Sequence, residues 1–211
     1  MRIAVVGANG RTGRLVVEQA LARGYGVTAL ARQRQQPSSR DERLSAVEVD
    51  VLNRDRVVEA LSGADAVISA LGIGTSRAAT VTYSQGTANL LYAMGLQDVK
   101  RIVVISAAPV GPREDHPAFD RYVVMPILER FFGATYQDMR RMEALLAGSS
   151  VDWTSLRPPR LLEKPPVGSY RISSGQPLPK ARTLTYADLA TSLIDTVDRD
   201  DLRRRTAYVA N

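Results

Sequence analysis

No cysteine occurs in the 211 residues, which excludes disulfide frameworks, thiolate metal sites and cysteine nucleophiles. The single histidine, His116, excludes a multi-histidine metal site. Lysine is scarce, with only Lys100, Lys164 and Lys180. The longest apolar runs, such as Ile102-Val103-Val104-Ile105, are strand-sized and exclude a bilayer-spanning helix. The apolar run in Met1–Gly7 is too short for a secretory signal, so a cytoplasmic chain is expected.

What is present is ordinary globular composition, 45% hydrophobic and 24% charged. The length suits a single domain spanning 1–211 with a sizeable core. The net charge of +6 is carried almost wholly by arginines spread along the chain. The densest cluster, Arg203-Arg204-Arg205, follows Asp200-Asp201 and is partly neutralised. A small anionic ligand is therefore expected rather than nucleic acid.

Apolar runs alternate with amphipathic stretches over the first two thirds, the pattern of βαβ units. Strands are predicted at Arg2–Val6, Val27–Ala31, Ala46–Val49, Ala66–Ser69, Arg101–Ser106 and Asp152–Leu156. Helices are predicted at Arg11–Arg23, Arg54–Leu61, Val81–Met94, Phe119–Phe132 and Gln137–Ala147. The expected fold is α/β: a doubly wound parallel sheet, order 3-2-1-4-5-6, with helices on both faces. After Leu156 the pattern changes. Six of the eleven prolines fall between Arg157 and Lys180, which excludes a long helix or a central strand there. Residues 157–185 are read as a substrate lid within the domain. Tyr170–Ser173 is a short-strand candidate. Tyr186–Val197 is a last amphipathic helix capped by Thr185, and Thr206–Val209 a final, seventh strand.

The strongest signal is Gly7-Ala8-Asn9-Gly10-Arg11-Thr12-Gly13, which follows the first strand and opens a helix. One glycine permits the tight turn, another lets backbone approach a pyrophosphate, and Gly13 lets helix pack on sheet. Free N–H groups and the dipole at the helix start favour a phosphate. The spacing is G-x-x-G-x-x-G, and its place between strand and helix makes a dinucleotide loop the expectation. The second strand ends in Ala31-Arg32-Gln33-Arg34, with no carboxylate for a ribose 2′-hydroxyl. Arg32 instead suits a 2′-phosphate, and Arg11 can add to its field, so NADP is expected over NAD.

With these motifs in order, the chain resembles the atypical branch of the short-chain dehydrogenase/reductases. It is most similar to NmrA-like and biliverdin reductase B (flavin reductase)-like proteins. The resemblance implies roles in sequence. Gly7, Ala8, Asn9, Gly10, Arg11, Thr12 and Gly13 form the dinucleotide loop. Asp50 and Val51 meet adenine, and Ala70, Leu71 and Gly72 run beneath the adenosine ribose and pyrophosphate. Ser106, Ala107 and Ala108 lie beside the nicotinamide, and Pro158 and Pro159 close over it. Plainer readings stand beside these: Asp50 opening a turn that Asn53 caps, Ser106 ending a strand, Pro158-Pro159 stiffening a loop.

Classical members of the superfamily use Tyr-x-x-x-Lys, which this chain lacks. The nearest spacing is Tyr136-Gln137-Asp138-Met139-Arg140, with arginine in the lysine's place. Tyr136 and Ser106 are the catalytic candidates; Pro109 and Arg160 are candidates to face the acceptor. A flat electron-poor acceptor can take its proton from water, so a flavin or quinone reductase needs no such pair. The alternative is a non-catalytic NmrA-type redox sensor. His116 reads as an exposed loop residue and Trp153 as core. The Phe119–Phe132 helix can pair with a copy of itself, so monomer and homodimer both stay open. No metal and no membrane partner are expected.

Overall fold

The computed structural model describes residues 1–33, 41–74, 79–115 and 117–211. His116 and Arg34 lie outside the described residues. Ten strands and five α-helices occur among those described. Up to the sixth strand they run β1 (Arg2–Val6), α1 (Arg11–Ala22), β2 (Gly26–Ala31), β3 (Leu44–Glu48), α2 (Arg54–Ala60), β4 (Ala66–Ser69), α3 (Thr82–Leu96), β5 (Arg101–Ile105), α4 (Met125–Ala147) and β6 (Asp152–Arg157). The remainder are β7 (Arg160–Leu162), β8 (Arg171–Ser174), β9 (Thr183–Thr185), α5 (Tyr186–Val197) and β10 (Arg205–Ala210).

The main sheet has the order β3-β2-β1-β4-β5-β6-β10-β8. All its pairs are parallel except β8 against β10. Strand alternation explains the two cores. In β1, Ala4 and Val6 pack into the cluster beneath α2, α3 and α4, while Ile3 and Val5 pack into the one beneath α1 and α5. In β5, Ile102 and Val104 take the first side and Val103 the second. Burial on both faces is why these strands read as unbroken apolar runs.

The doubly wound order is as expected, and the sheet is extended further than the sequence indicated. β10 continues the parallel order, and β8, from the proline-rich segment, adds an antiparallel edge. β7 and β9 form a separate two-stranded parallel sheet. Prolines keep this segment to short pieces at the margin. The predicted helices Phe119–Phe132 and Gln137–Ala147 are instead one continuous helix. A π turn at Asp120–Val124 leads into α4, which runs unbroken through Gly133-Ala134-Thr135 to Ala147. Pro126 follows closely on the π turn. Thr185 caps α5 as expected, accepting from the Asp188 N–H at 3.0 Å.

Two buried side chains fix helix ends from a distance. Asp138 of α4 accepts from the Tyr83 N–H at 2.9 Å and from the Ser84 hydroxyl, serving the start of α3 together with the Thr80 hydroxyl, which accepts from the Thr82 N–H at 3.1 Å. Arg101 of β5 donates to the Thr196 and Val197 carbonyls at 2.5 and 3.0 Å, satisfying the end of α5. Burial lowers that guanidinium to about 10.

Candidate active site at the carboxyl edge of the sheet

The segments after β1, β2, β3, β4, β5 and β6 all meet along one edge of the sheet. The crevice falls where the chain order reverses, between β1 and β4, the usual ligand position in doubly wound folds.

The glycine loop is built from backbone. Gly7 turns off β1 with φ +78°, and its N–H and that of Ala8 both donate to the Leu30 carbonyl. A Cβ at Gly7 would stand 2.6 Å from the Ala70 carbonyl oxygen. A Cβ at Gly13 would stand 2.2 Å from the Gly7 oxygen. These two glycines permit strand-to-strand and helix-to-loop approach that no other residue allows. Gly10 stands at the cap of α1, with no side-chain cap and no acidic residue in the first turn. The helix start is left for an anion. The Asn9 side chain donates to the Gln33 carbonyl at 2.7 Å, tying the loop to the end of β2 beside exposed Arg32.

The neighbouring wall is also close-packed. A Cβ on Gly86 of α3 would lie 3.0 Å from Val51 and 3.2 Å from Leu71. Buried Asn89 donates to the Val51 carbonyl at 2.9 Å. Asp50 accepts from the Leu52 N–H at 2.9 Å and Asn53 caps α2, so the plainer reading of this turn also holds. Gly72 and Gly74 have open space where a side chain would be.

The β5–β6 side is held differently. The Ser106 N–H donates to the Leu156 carbonyl at 2.7 Å, and Ala108 N–H to the Pro158 carbonyl at 2.9 Å. Ser106, Ala107 and Ala108 are thereby joined to the Pro158-Pro159 exit as one platform. Above it, the turn Ala108–Val110 is gripped by α4. Arg140 donates to the Pro109 carbonyl at 3.1 Å and pairs with Glu129 at 2.5 Å. Gly111 rests on Tyr208, whose hydroxyl a Cβ would meet at 1.9 Å. That hydroxyl accepts from Arg157 at 3.2 Å, and Arg157 forms a bidentate pair with Glu143 at 3.1 and 2.6 Å. The pair is about nine-tenths buried, and the Ser155 hydroxyl satisfies it further. Burial opposes the charge on Arg157, and the Glu143 carboxylate outweighs it, holding the pKa up.

The catalytic candidates separate. Ser106 is 3% exposed, and its hydroxyl has no hydrogen-bond partner among the described residues. A buried unpaired hydroxyl at the strand end fits a bound polar group. Tyr136 packs on the core beside Phe132. Burial, with Glu129 adding to it and Arg140 opposing, pushes its phenol above the ordinary value. Arg140 is engaged with Glu129 and the turn carbonyls, and its charge reduces the rise at Tyr136 without reversing it. Arg11 points toward the C-terminal segment, 3.6 Å from Glu163 and over the Tyr186 ring. Arg160 is exposed at the start of β7. Asp188 anchors this segment, accepting from the Val167 and Gly168 N–H groups at 2.9 and 3.1 Å and from Asn211.

Sequence reasoning missed Gly86, Asn89, Glu143 and Arg157 as site-building residues. Only Asn89, a polar residue within an otherwise apolar stretch of helix, carried a local signal. A cavity of about 410 Å³ lies elsewhere, lined by Arg2, Thr28 of β2, Ser45 and Val47 of β3, and α2. Among the described residues no cluster has the makeup of a metal site, and no helix is long and apolar enough to cross a membrane.

Fold and loop together define a dinucleotide-binding α/β protein. Residues 7–200 match the model of the NAD(P)H-binding family, and the chain belongs to that family. An uncharacterized chloroplastic protein of Arabidopsis thaliana is 29% identical over 177 residues, covering 80% of this chain. The chain spans 62% of that relative's length. A short-chain dehydrogenase/reductase from Veillonella parvula in complex with NADP has a TM-score of 0.82 at 17% identity, covering 100% of this chain and 94% of its own. A candidate NADH-flavin reductase from Streptococcus pneumoniae has a TM-score of 0.78 at 21% identity, covering 100% and 99%. At these identities the structural likenesses establish the fold.

Proposed function

We propose that the chain is an NADPH-dependent reductase for a flat, electron-poor acceptor of the flavin or quinone class. The observation that carries this reading is a dinucleotide cradle with no poised acid beside it among the described residues. Tyr136 is pushed away from ionisation, and Arg140 is occupied by Glu129 and Pro109. A bound nicotinamide nucleotide would supply the hydride. The protein's part is orientation. Gly7–Gly13 would hold the pyrophosphate on amide groups, and the Ser106 hydroxyl would meet the nicotinamide end. The platform of Ala107, Ala108, Pro158 and Pro159 would set the angle at which an acceptor stacks. Water can deliver the proton. Pro109 and Arg160 would border the acceptor, with residues 157–185 as its cover.

The preference for NADPH rests on exposed Arg32 and on the missing carboxylate at the end of β2. Titration with NADPH and NADH should give the tighter constant for NADPH, and Arg32→Ala should remove the difference. Turnover is tested by following nicotinamide absorbance with a panel of flavins and quinones. Uptake of nucleotide without oxidation by any acceptor would replace this reading with the NmrA-type sensor, which the missing Tyr-x-x-x-Lys pair also suits. A preference for NADH would reject the cofactor assignment.

A further inference from the structure

We propose that the cavity of about 410 Å³ beside α2 is a second anion site, which takes the phosphate group of a small phosphomonoester. The site holds whether or not the chain is a reductase. Its polar lining lies toward the amino edge of the sheet: Arg2 opens β1, Thr28 lies within β2, and Ser62 follows α2. The glycine loop leaves the opposite end of β1, so the two sites are separate.

Arg2 supplies the charge. Its half-buried guanidinium lies across Gly26 of β2, where a Cβ would stand 3.3 Å from Cζ and 3.4 and 3.5 Å from Nη2 and Nε. A side chain at position 26 would push it aside. Nη1 makes only marginal contacts, 3.5 Å from the Val27 and Arg43 carbonyls. Nε and Nη2 have no partner among the described residues, and no carboxylate there pairs with this side chain. A guanidinium seated on a glycine without a counter-charge calls for an anion.

Hydroxyls complete the donor set. Thr28 is 7% exposed and lines the cavity, yet its hydroxyl makes no hydrogen bond among the described residues. It stands level with Ser45 in the β2–β3 register, so both hydroxyls share one face of the sheet. Ser62 lines the same cavity from the end of α2. That helix end opposes an anion only weakly, because the Val57, Val58 and Glu59 carbonyls are taken by Leu61, Gln97 and Ser62. Arg56 and Glu59 pair with each other at 2.6 Å, so Arg2 leaves the lining net positive. Two guanidinium nitrogens and three hydroxyls, from separate elements, exceed the roughly four lone-pair sites of a planar carboxylate. The three oxygens of a tetrahedral phosphate can meet them. The cavity is larger than a phosphate ion, and Val47 and Ala60 give the rest of the ligand an apolar wall.

Amide NMR of the isotope-labelled chain tests the site, with glycerol phosphate as the probe and malonate at equal ionic strength as the control. The amides of Gly26, Thr28, Ser45 and Ser62 should shift saturably with glycerol phosphate and not with malonate. Saturating NADPH should leave this titration unchanged, which separates it from phosphate held at Gly7–Gly13. Arg2→Gln should weaken the constant about tenfold or more, and Thr28→Val about threefold, each with a spectrum as well dispersed as the wild type's. No saturable shift at these four amides, shifts that NADPH abolishes, an equal response to malonate, or an unchanged constant in the folded variants would each overturn the proposal.

Discussion

The two halves of the sheet's carboxyl edge are built by opposite means. The β1–β4 half is made of backbone: Gly7 against Ala70, Gly13 against Gly7, and a helix start without a cap. The β5–β6 half is held by charged side chains: Arg140 on Pro109, and Arg157 on Glu143 and Tyr208. The difference matches the demands on each. A pyrophosphate needs many amide donors at close range, and a side chain there would only obstruct. A stacking surface needs a rigid platform, and a buried ion pair supplies rigidity while keeping polar groups out of the stack.

The comparison is broken most severely at Glu143. Glu143→Ala leaves the Arg157 charge buried without its partner, with an expected loss of about 3–5 kcal/mol. Urea unfolding with an unchanged m-value measures it. The double replacement by methionines should recover most of that loss, because burying neither charge removes the penalty.

Gly13→Ala attacks the other half. Its methyl group cannot be placed without moving backbone, with an expected cost of about 1–3 kcal/mol. Nucleotide uptake, followed by calorimetry, should fall with it. Retained affinity at wild-type strength would show that the loop does not hold the ligand.

Arg140→Ala sharpens the contrast. The turn at Ala108–Val110 would lose its grip while the glycine loop stayed intact. Turnover with an acceptor should drop about tenfold or more, with the nucleotide constant changed little. Guanidine added to the variant should restore part of the rate. An equal loss in nucleotide binding would mean that the two halves are not separable.

The smallest expected effect is in acid. Burial pushes the Asp188 carboxyl up, but hydrogen bonds from Thr185, Val167, Asn211 and Gly168 outweigh it and leave the pKa below the ordinary value. Its contribution is complete above the unfolded-state value near 4 and fades as pH falls through the lower folded value. Melting of the wild type should therefore decline below about pH 4, and Asp188→Asn should show a shallower decline. Identical acid profiles would remove Asp188 as an anchor of the proline-rich segment.

The sequence by itself determined the doubly wound order, the glycine loop and the helix capped by Thr185. Each depends on residues close in the chain, whose periodicity or backbone freedom is a local property. It misjudged the break between Phe132 and Gln137, because an unbroken helix there is stabilised by packing along α4 rather than by any cap. Only the tertiary structure decided that Arg140 bonds a turn and Glu129, that Glu143 meets Arg157, and that Arg11 leans on Tyr186. A charged side chain reaches several ångströms and takes whichever partner the fold brings near. Its role is a property of geometry between distant segments, and no spacing along the chain encodes it.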